Sequence, residues 1–129
     1  MRFKDKHVVV TGGTRGIGRA IALAFLREGA ICHATYRGND AAAESLVEEA
    51  GDAGERVHLA KFDVADHEAT EAFWESLGET PIDILVANSG IRRDAVLAMM
   101  SPGDWNAVIG TNLTGSYTMS KFAVQNMMR

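Results

Sequence analysis

Short apolar blocks alternate along the chain with longer stretches of helical periodicity, and glycine, proline or aspartate punctuates each change. The first block, His7 to Thr11, contains Val8-Val9-Val10, a continuous apolar run of the kind a strand shows when both of its faces are covered. It leads directly into glycines. From Gly16 to Glu28 the apolar residues Ile17, Ile21, Ala24 and Phe25 return at helical spacing, and Gly29 stops that helix. Ala30 to Tyr36 reads as a second strand, Asp40 to Ala50 as an Ala/Glu-rich helix and Val57 to Phe62 as a third strand. Asp66 to Leu77 is a helix that begins on its own cap, closed by Gly78 and Pro81. Ile82 to Val86 is the fourth strand and ends in Ala87-Asn88-Ser89-Gly90. Ser101-Pro102-Gly103-Asp104 combines a capping hydroxyl, a proline at the first helical position and an acid three residues after the cap. The helix it starts extends from Asp104 to the chain end, interrupted in character by Asn112 and Gly115.

This alternation predicts an α/β fold, a doubly wound parallel sheet of about four strands with flanking helices, in one domain spanning residues 1–129. Two features suggest the N-terminal portion of a larger, truncated unit. Phe122 to Arg129 carries no stop signal, and the fourth strand is left as an apolar sheet edge that more chain or a partner should cover.

An apolar content of 47% over 129 residues suffices for one modest core. The formal charge of −4 and the absence of any Lys/Arg run argue against a nucleic-acid partner. Met1 to His7 is charged, and the apolar run after it breaks at Thr11-Gly12-Gly13, too soon for a signal or a membrane helix. Cys32 is the single cysteine, so no internal disulfide forms; its apolar flanks read as buried, and a reducing, cytoplasmic compartment fits. His7, His33, His58 and His67 lack ligand spacing, and no metal site is expected. Met99, Met100, Met119, Met127 and Met128 read as core or subunit-contact residues.

The chemistry concentrates between the first strand and first helix, at Thr11-Gly12-Gly13-Thr14-Arg15-Gly16-Ile17-Gly18. Glycines there let the backbone turn sharply and approach a diphosphate, while the following helix offers unpaired N–H groups and the positive end of its dipole. The spacing is G-x-x-x-G-x-G, set in the strand, turn and helix context of a Rossmann-type dinucleotide site, and Gly12, Thr14, Arg15, Gly16, Ile17 and Gly18 are its candidate residues. An acid at the end of the second strand would select a free ribose 2′-hydroxyl. Thr35-Tyr36-Arg37 has none, and Arg37 together with Arg15 offers the planar fork that a 2′-phosphate favours, so NADP is preferred over NAD.

Taken together, Thr11 to Gly18, Asp63-Val64, Ala87-Asn88-Ser89-Gly90 and Thr111-Asn112-Leu113-Thr114-Gly115 resemble the short-chain dehydrogenase/reductase family in order and separation. Ile82-Asp83-Ile84-Leu85-Val86, followed by Asn88, Gly90 and Arg93-Asp94, looks most like its 3-oxoacyl-[acyl-carrier-protein] reductase branch. The resemblance implies that Asp63 and Val64 meet the adenine ring and that Asn88, Ser89 and Gly90 line the cofactor. It also implies that Asn112 is the family's fourth catalytic residue, distorting its helix and holding a proton-relay water. One departure stands out: the family's Asn-Asn-Ala-Gly is Ala87-Asn88-Ser89-Gly90 here, which removes the first amide.

The family's serine, tyrosine and lysine come later in the chain, in a segment expected just beyond Arg129. Tyr117 and Lys121 have Tyr-x-x-x-Lys spacing, but no strand separates them from Asn112, so they are read as a chance match. The resemblance further implies NADPH-dependent reduction of a 3-oxoacyl thioester, small or carrier-bound, by a homo-oligomer, a tetramer in full-length relatives. A non-catalytic nucleotide-binding or subunit-pairing module is the alternative. A Rossmann domain for another nucleotide or a methyl donor is a third reading.

Overall fold

A computed structural model describes residues 1–129. Four strands, β1 (His7–Thr11), β2 (Ile31–Tyr36), β3 (Val57–Lys61) and β4 (Ile84–Val86), form one parallel sheet in the order β3-β2-β1-β4. Parallel neighbours require crossovers, and α1 (Gly16–Arg27), α2 (Asp40–Ala50) and α3 (His67–Ser76) supply them. The chain winds outward from β1 to β3 and then returns to the other side of β1. This is the α/β, Rossmann-type arrangement, and the reversal opens a crevice beyond the carboxyl ends of β1 and β4. After β4 a loop with a 3₁₀ turn at Leu97–Met99 leads to α4 (Pro102–Val108), a π-helical turn (Ile109–Thr114) and α5 (Gly115–Met127).

The central place of β1 explains its unbroken valines, each fully buried. Val8 and Val10 face α1 through Ala22 and Leu26, with Ala30 and Cys32 alongside. Val9 points the other way, toward Phe73 and Trp74 of α3 and Met119 and Ala123 of α5. Burial pushes the Cys32 thiol up to about 11, against a smaller opposing pull from Arg56, so it packs as a small apolar group. Of the five methionines expected to be core or contact residues, only Met119 is in the core; Met99, Met127 and Met128 are exposed.

Three details depart from the sequence expectation. The buried α1 face toward the sheet is Gly18, Ala22 and Leu26, and the expected Ile21 and Phe25 pack half-buried against the same core, whereas Ile17 is 75% exposed and Ala24 is exposed. Small residues at Gly18 and Ala22 let the helix press close to the strands, which puts Ile21 and Phe25 at the flank of the contact. The fourth strand begins at Ile84 rather than Ile82, because the Asp83 carboxylate accepts the His7 amide at 2.9 Å and Asn126 Oδ1 accepts the Ile82 amide at 2.8 Å. Side chains thus take ladder positions there. The last helix is two helices joined by the π turn, in which Asn112 sits.

Candidate functional site

The carboxyl ends of the strands open into a cleft of about 710 Å³. Its floor is the glycine turn. Gly12 adopts φ +63°, a left-handed conformation that a side chain would strain. A Cβ on Gly18 would overlap the Gly12 carbonyl oxygen and lie 2.5 Å from Asn88 Nδ2, so only glycine lets α1 start this close to the turn. Thr11 closes the floor from below: its hydroxyl accepts the amides of Asn88 at 2.9 Å and Ser89 at 3.0 Å. Asn88 Nδ2 donates to the Gly12 carbonyl at 3.3 Å. The end of β4 is therefore stapled to the turn after β1.

Helix starts differ in how their amides are satisfied. Asn39 caps α2 by accepting from Ala42, Asp66 caps α3 by accepting from Ala69, and Ser101 caps α4 by accepting from Asp104. At α1 the capping position is Arg15, and no side chain accepts from its first turn. An uncapped start beside a cleft is an anion-attracting arrangement, reinforced by the helix dipole and by the Arg15 guanidinium.

On the β2 side, Arg37 is exposed, with Nε 3.6 Å from Asp63 Oδ2. The other Asp63 oxygen accepts the Ala65 amide at 2.9 Å, which fixes the carboxylate. Nearby, the Tyr36 hydroxyl donates to Asp40 Oδ1 at 3.0 Å, and Lys61 Nζ lies 3.2 Å from Asp40 Oδ2. These contacts with Lys61 and Tyr36 hold the Asp40 carboxyl below its usual range, and the Asp40 acceptor raises the tyrosine.

The cleft gathers Gly12, Thr14, Arg15, Gly16, Arg37, Asp63, Val64, Asn88, Ser89 and Gly90 into one lining. Ile17 and Gly18 lie outside it, Ile17 in solvent and Gly18 packed beneath the turn. Asn112 also lies outside. Its Oδ1 accepts the Ile91 amide at 2.8 Å and its Nδ2 donates to the Ile91 carbonyl at 3.0 Å, so the π turn grips the loop after β4. Tyr117 is 62% exposed and Lys121 is exposed, and neither lines the cleft. The lining also includes Thr35, Tyr36, Arg93 and Thr111, which lie in the sequence motifs but were not site candidates, and Gly38, Asn39, Phe62 and Ile91, which sequence reasoning missed. Asn39 was findable as the cap of α2; the place of Arg93 in the lining, 3.7 Å from Asp104, depends on a tertiary contact.

The opposite end of the sheet carries a different polar cluster. His33 and His58 are paired across β2 and β3, with rings stacked at 5.0 Å, and His7 Nδ1 lies 3.0 Å from His33 Nε2. Strand register, not sequence spacing, brings these three imidazoles together. Burial first, then the neighbouring His58 and His7, pushes His33 down to about 4.

The family model described as short chain dehydrogenase matches residues 6–129. The chain belongs to the short-chain dehydrogenase family. It is 44% identical over 117 residues to an acetoacetyl-CoA reductase of Paracoccus denitrificans, covering 89% of this chain and 46% of that protein. It is 40% identical over 131 residues to a 3-oxoacyl-[acyl-carrier-protein] reductase of Vibrio harveyi, covering 100% and 52%. Among solved structures, a double mutant of a Serratia marcescens short-chain dehydrogenase/reductase superposes with a TM-score of 0.92 at 28% identity, covering 98% of this chain and 53% of that one. The chain spans about half the length of the relatives it matches. No helix is long and apolar enough to cross a membrane.

Proposed function

We propose that this protein binds NADP in the cleft and serves an NADPH-dependent reductase acting on a 3-oxoacyl thioester, either a small molecule or a carrier-bound acyl group. The observation that carries the reading is the uncapped start of α1, facing a cleft whose rim holds Arg15 and Arg37 and whose floor excludes any Cβ at Gly18. That cradle fits a diphosphate, which needs close backbone approach and open amide donors. An exposed guanidinium at the end of β2, with no acid beside it in the strand, fits a 2′-phosphate.

In this reading the amides around Gly16 hold the diphosphate, Arg37 clasps the extra phosphate with help from Arg15, and Asp63 and Val64 frame the adenine. Asn88, Ser89 and Gly90 line the nicotinamide side, held in place by the Thr11 hydroxyl. Asn112 steadies Ile91 beside it and is the proposed member of a proton relay. When bound, reduced nicotinamide supplies hydride to a carbonyl carbon. The serine, tyrosine and lysine that would orient and protonate the substrate are proposed to belong to a further segment of polypeptide, and Tyr117 and Lys121 take no part. Relatives named acetoacetyl-CoA reductase and 3-oxoacyl-[acyl-carrier-protein] reductase support a 3-oxoacyl thioester as substrate. A cytoplasmic homo-oligomer is the proposed setting.

Fluorescence titration of the purified protein tests the cofactor. Wild type should prefer NADPH to NADH, and Arg37→Glu should weaken NADPH about thirtyfold while leaving NADH within about twofold, as loss of a charge-assisted phosphate contact predicts. Equal affinity of wild type for the two nucleotides, or none for either, would overturn the reading.

A further inference from the structure

The guanidinium of Arg19, one turn into α1, is not part of the cleft lining, yet every one of its N–H groups is engaged. Nε donates to Glu49 Oε2 at 2.9 Å, and Nη2 meets the same carboxylate oxygen and the Ser45 hydroxyl, the latter at 3.0 Å. Nη1 donates to the Ala42 carbonyl at 3.3 Å and to the Thr14 carbonyl at 3.4 Å. Three of these partners lie along α2 and the fourth lies in the glycine turn. One planar group thus joins the turn to α2, and its side chain is only 20% exposed.

The junction matters because α2 is shallowly seated, burying only Ala43 and Leu46 among its residues. The segment leading into it, Arg37 to Asn39, forms the far rim of the cleft. We infer that Arg19 is a positioning residue that sets the separation between the glycine turn and the Arg37 rim, and thereby the preference for a 2′-phosphorylated nucleotide. The inference rests on the reading of the cleft as an NADP site. A nucleotide with a 2′-phosphate is gripped on both elements, so an error in their spacing weakens it. One without that phosphate is gripped mainly at the turn and tolerates the same error. Five directed bonds from a rigid fork suit this task, where a lysine ammonium would reach only part of the set.

The test is the ratio of NADH to NADPH dissociation constants in the purified protein, measured beside the melting temperature. Arg19→Met, which keeps the stem and removes the donors, should weaken NADPH about tenfold and NADH about twofold or less, as lost preorganisation predicts. Arg19→Lys should recover part of the ratio. Ser45→Ala removes one anchor on α2 and leaves the core untouched; it should lower the ratio about threefold and covers the case in which Arg19→Met does not fold. A lowered melting temperature with an unchanged ratio in these variants would make Arg19 a purely structural tie and overturn the inference. Failure of the NADP reading itself is seen separately, as a wild-type protein without NADPH preference.

Discussion

Helices α1 and α3 both leave the carboxyl end of a strand, and the protein treats their first turns differently. At α3 the Asp66 carboxylate accepts the Ala69 amide at 3.1 Å, and the Thr70 amide is taken by the Asp66 carbonyl at 3.0 Å. At α1 the equivalent position is Arg15, whose carbonyl likewise takes the Arg19 amide at 3.1 Å but whose side chain offers no acceptor and adds positive charge to an already positive helix end. Orphan amides at a helix start must find partners somewhere. The α3 start has a side-chain acceptor from the chain itself, and the α1 start has none. The two ends of the sheet repeat the contrast, since the carboxyl end presents open donors and the amino end stacks three histidines against one another.

The strongest way to break the comparison is to remove the close approach on which the open start depends. In Gly18→Ala the added methyl runs into backbone and into the Asn88 amide, so α1 must lift from the turn. Overpacking of this kind costs about 3 kcal/mol, and the urea midpoint should fall accordingly while NADPH binding is lost. An unchanged midpoint with full binding would mean that the turn is far looser than its geometry implies.

Next in size is the conversion of one helix start into the other. Arg15→Asp gives α1 the capping chemistry of α3, a carboxylate able to accept first-turn amides. Stability should hold or rise slightly, whereas NADPH affinity should fall about a hundredfold, because the carboxylate both occupies the donors and repels phosphate. Titration and thermal melts of the same sample separate the two effects. A variant that melts higher and still binds NADPH normally would show that the open amides of α1 are not the anion site.

The third prediction concerns the amino end. His33 titrates near 4 in the folded protein and near the ordinary 6.5 once unfolded. Between those values the unfolded chain holds more protons. The stability His33 contributes as a neutral group is therefore complete above pH 6.5 and is lost as pH falls toward 4, by up to about 3 kcal/mol. The groups acting on it are His58 and His7, both cationic when protonated, so neither relieves the cost. Urea unfolding from pH 7.5 to 4.5 should show a steep acid loss in wild type and a shallower one in His33→Phe, with NADPH affinity at pH 7.5 unchanged. Identical slopes would exclude His33 as the source.

The extent to which each region was readable follows the same line. Strand β1, helix α2, the capped starts of α3 and α4 and the glycine turn were legible because each rests on local chemistry: an apolar run, a cap or a glycine spacing. The cleft's glycine, Asp63 and Asn88 segments were legible through motif order. The histidine stack was not, since it depends on β2 and β3 register. Nor was Asn126, whose buried amide bridges Thr80 and Ile82 across 46 and 44 residues. On α1 the helical spacing was legible and Ile21 and Phe25 do pack on the core, but the fully buried row of Gly18, Ala22 and Leu26 was not, because hydrophobic periodicity gives small residues little weight.

The smallest effect sharpens the comparison from its closed side. Asp66→Ala leaves the first turn of α3 without its side-chain acceptor and should cost about 1 kcal/mol, the usual value of an N-cap. The Asp66 side chain is exposed and is not part of the cleft lining, and its backbone bonds to Asp63 and Thr70 survive the substitution, so NADPH affinity should stay within about twofold of wild type. The pairing with Arg15→Asp is what makes the measurement informative: adding a cap at α1 should remove binding without loss of stability, and deleting one at α3 should remove stability without loss of binding. If deleting the α3 cap also weakened NADPH tenfold, the two helix starts would be coupled through Asp63 to Val64, and the division between closed and open starts would no longer describe how this protein assigns its amides.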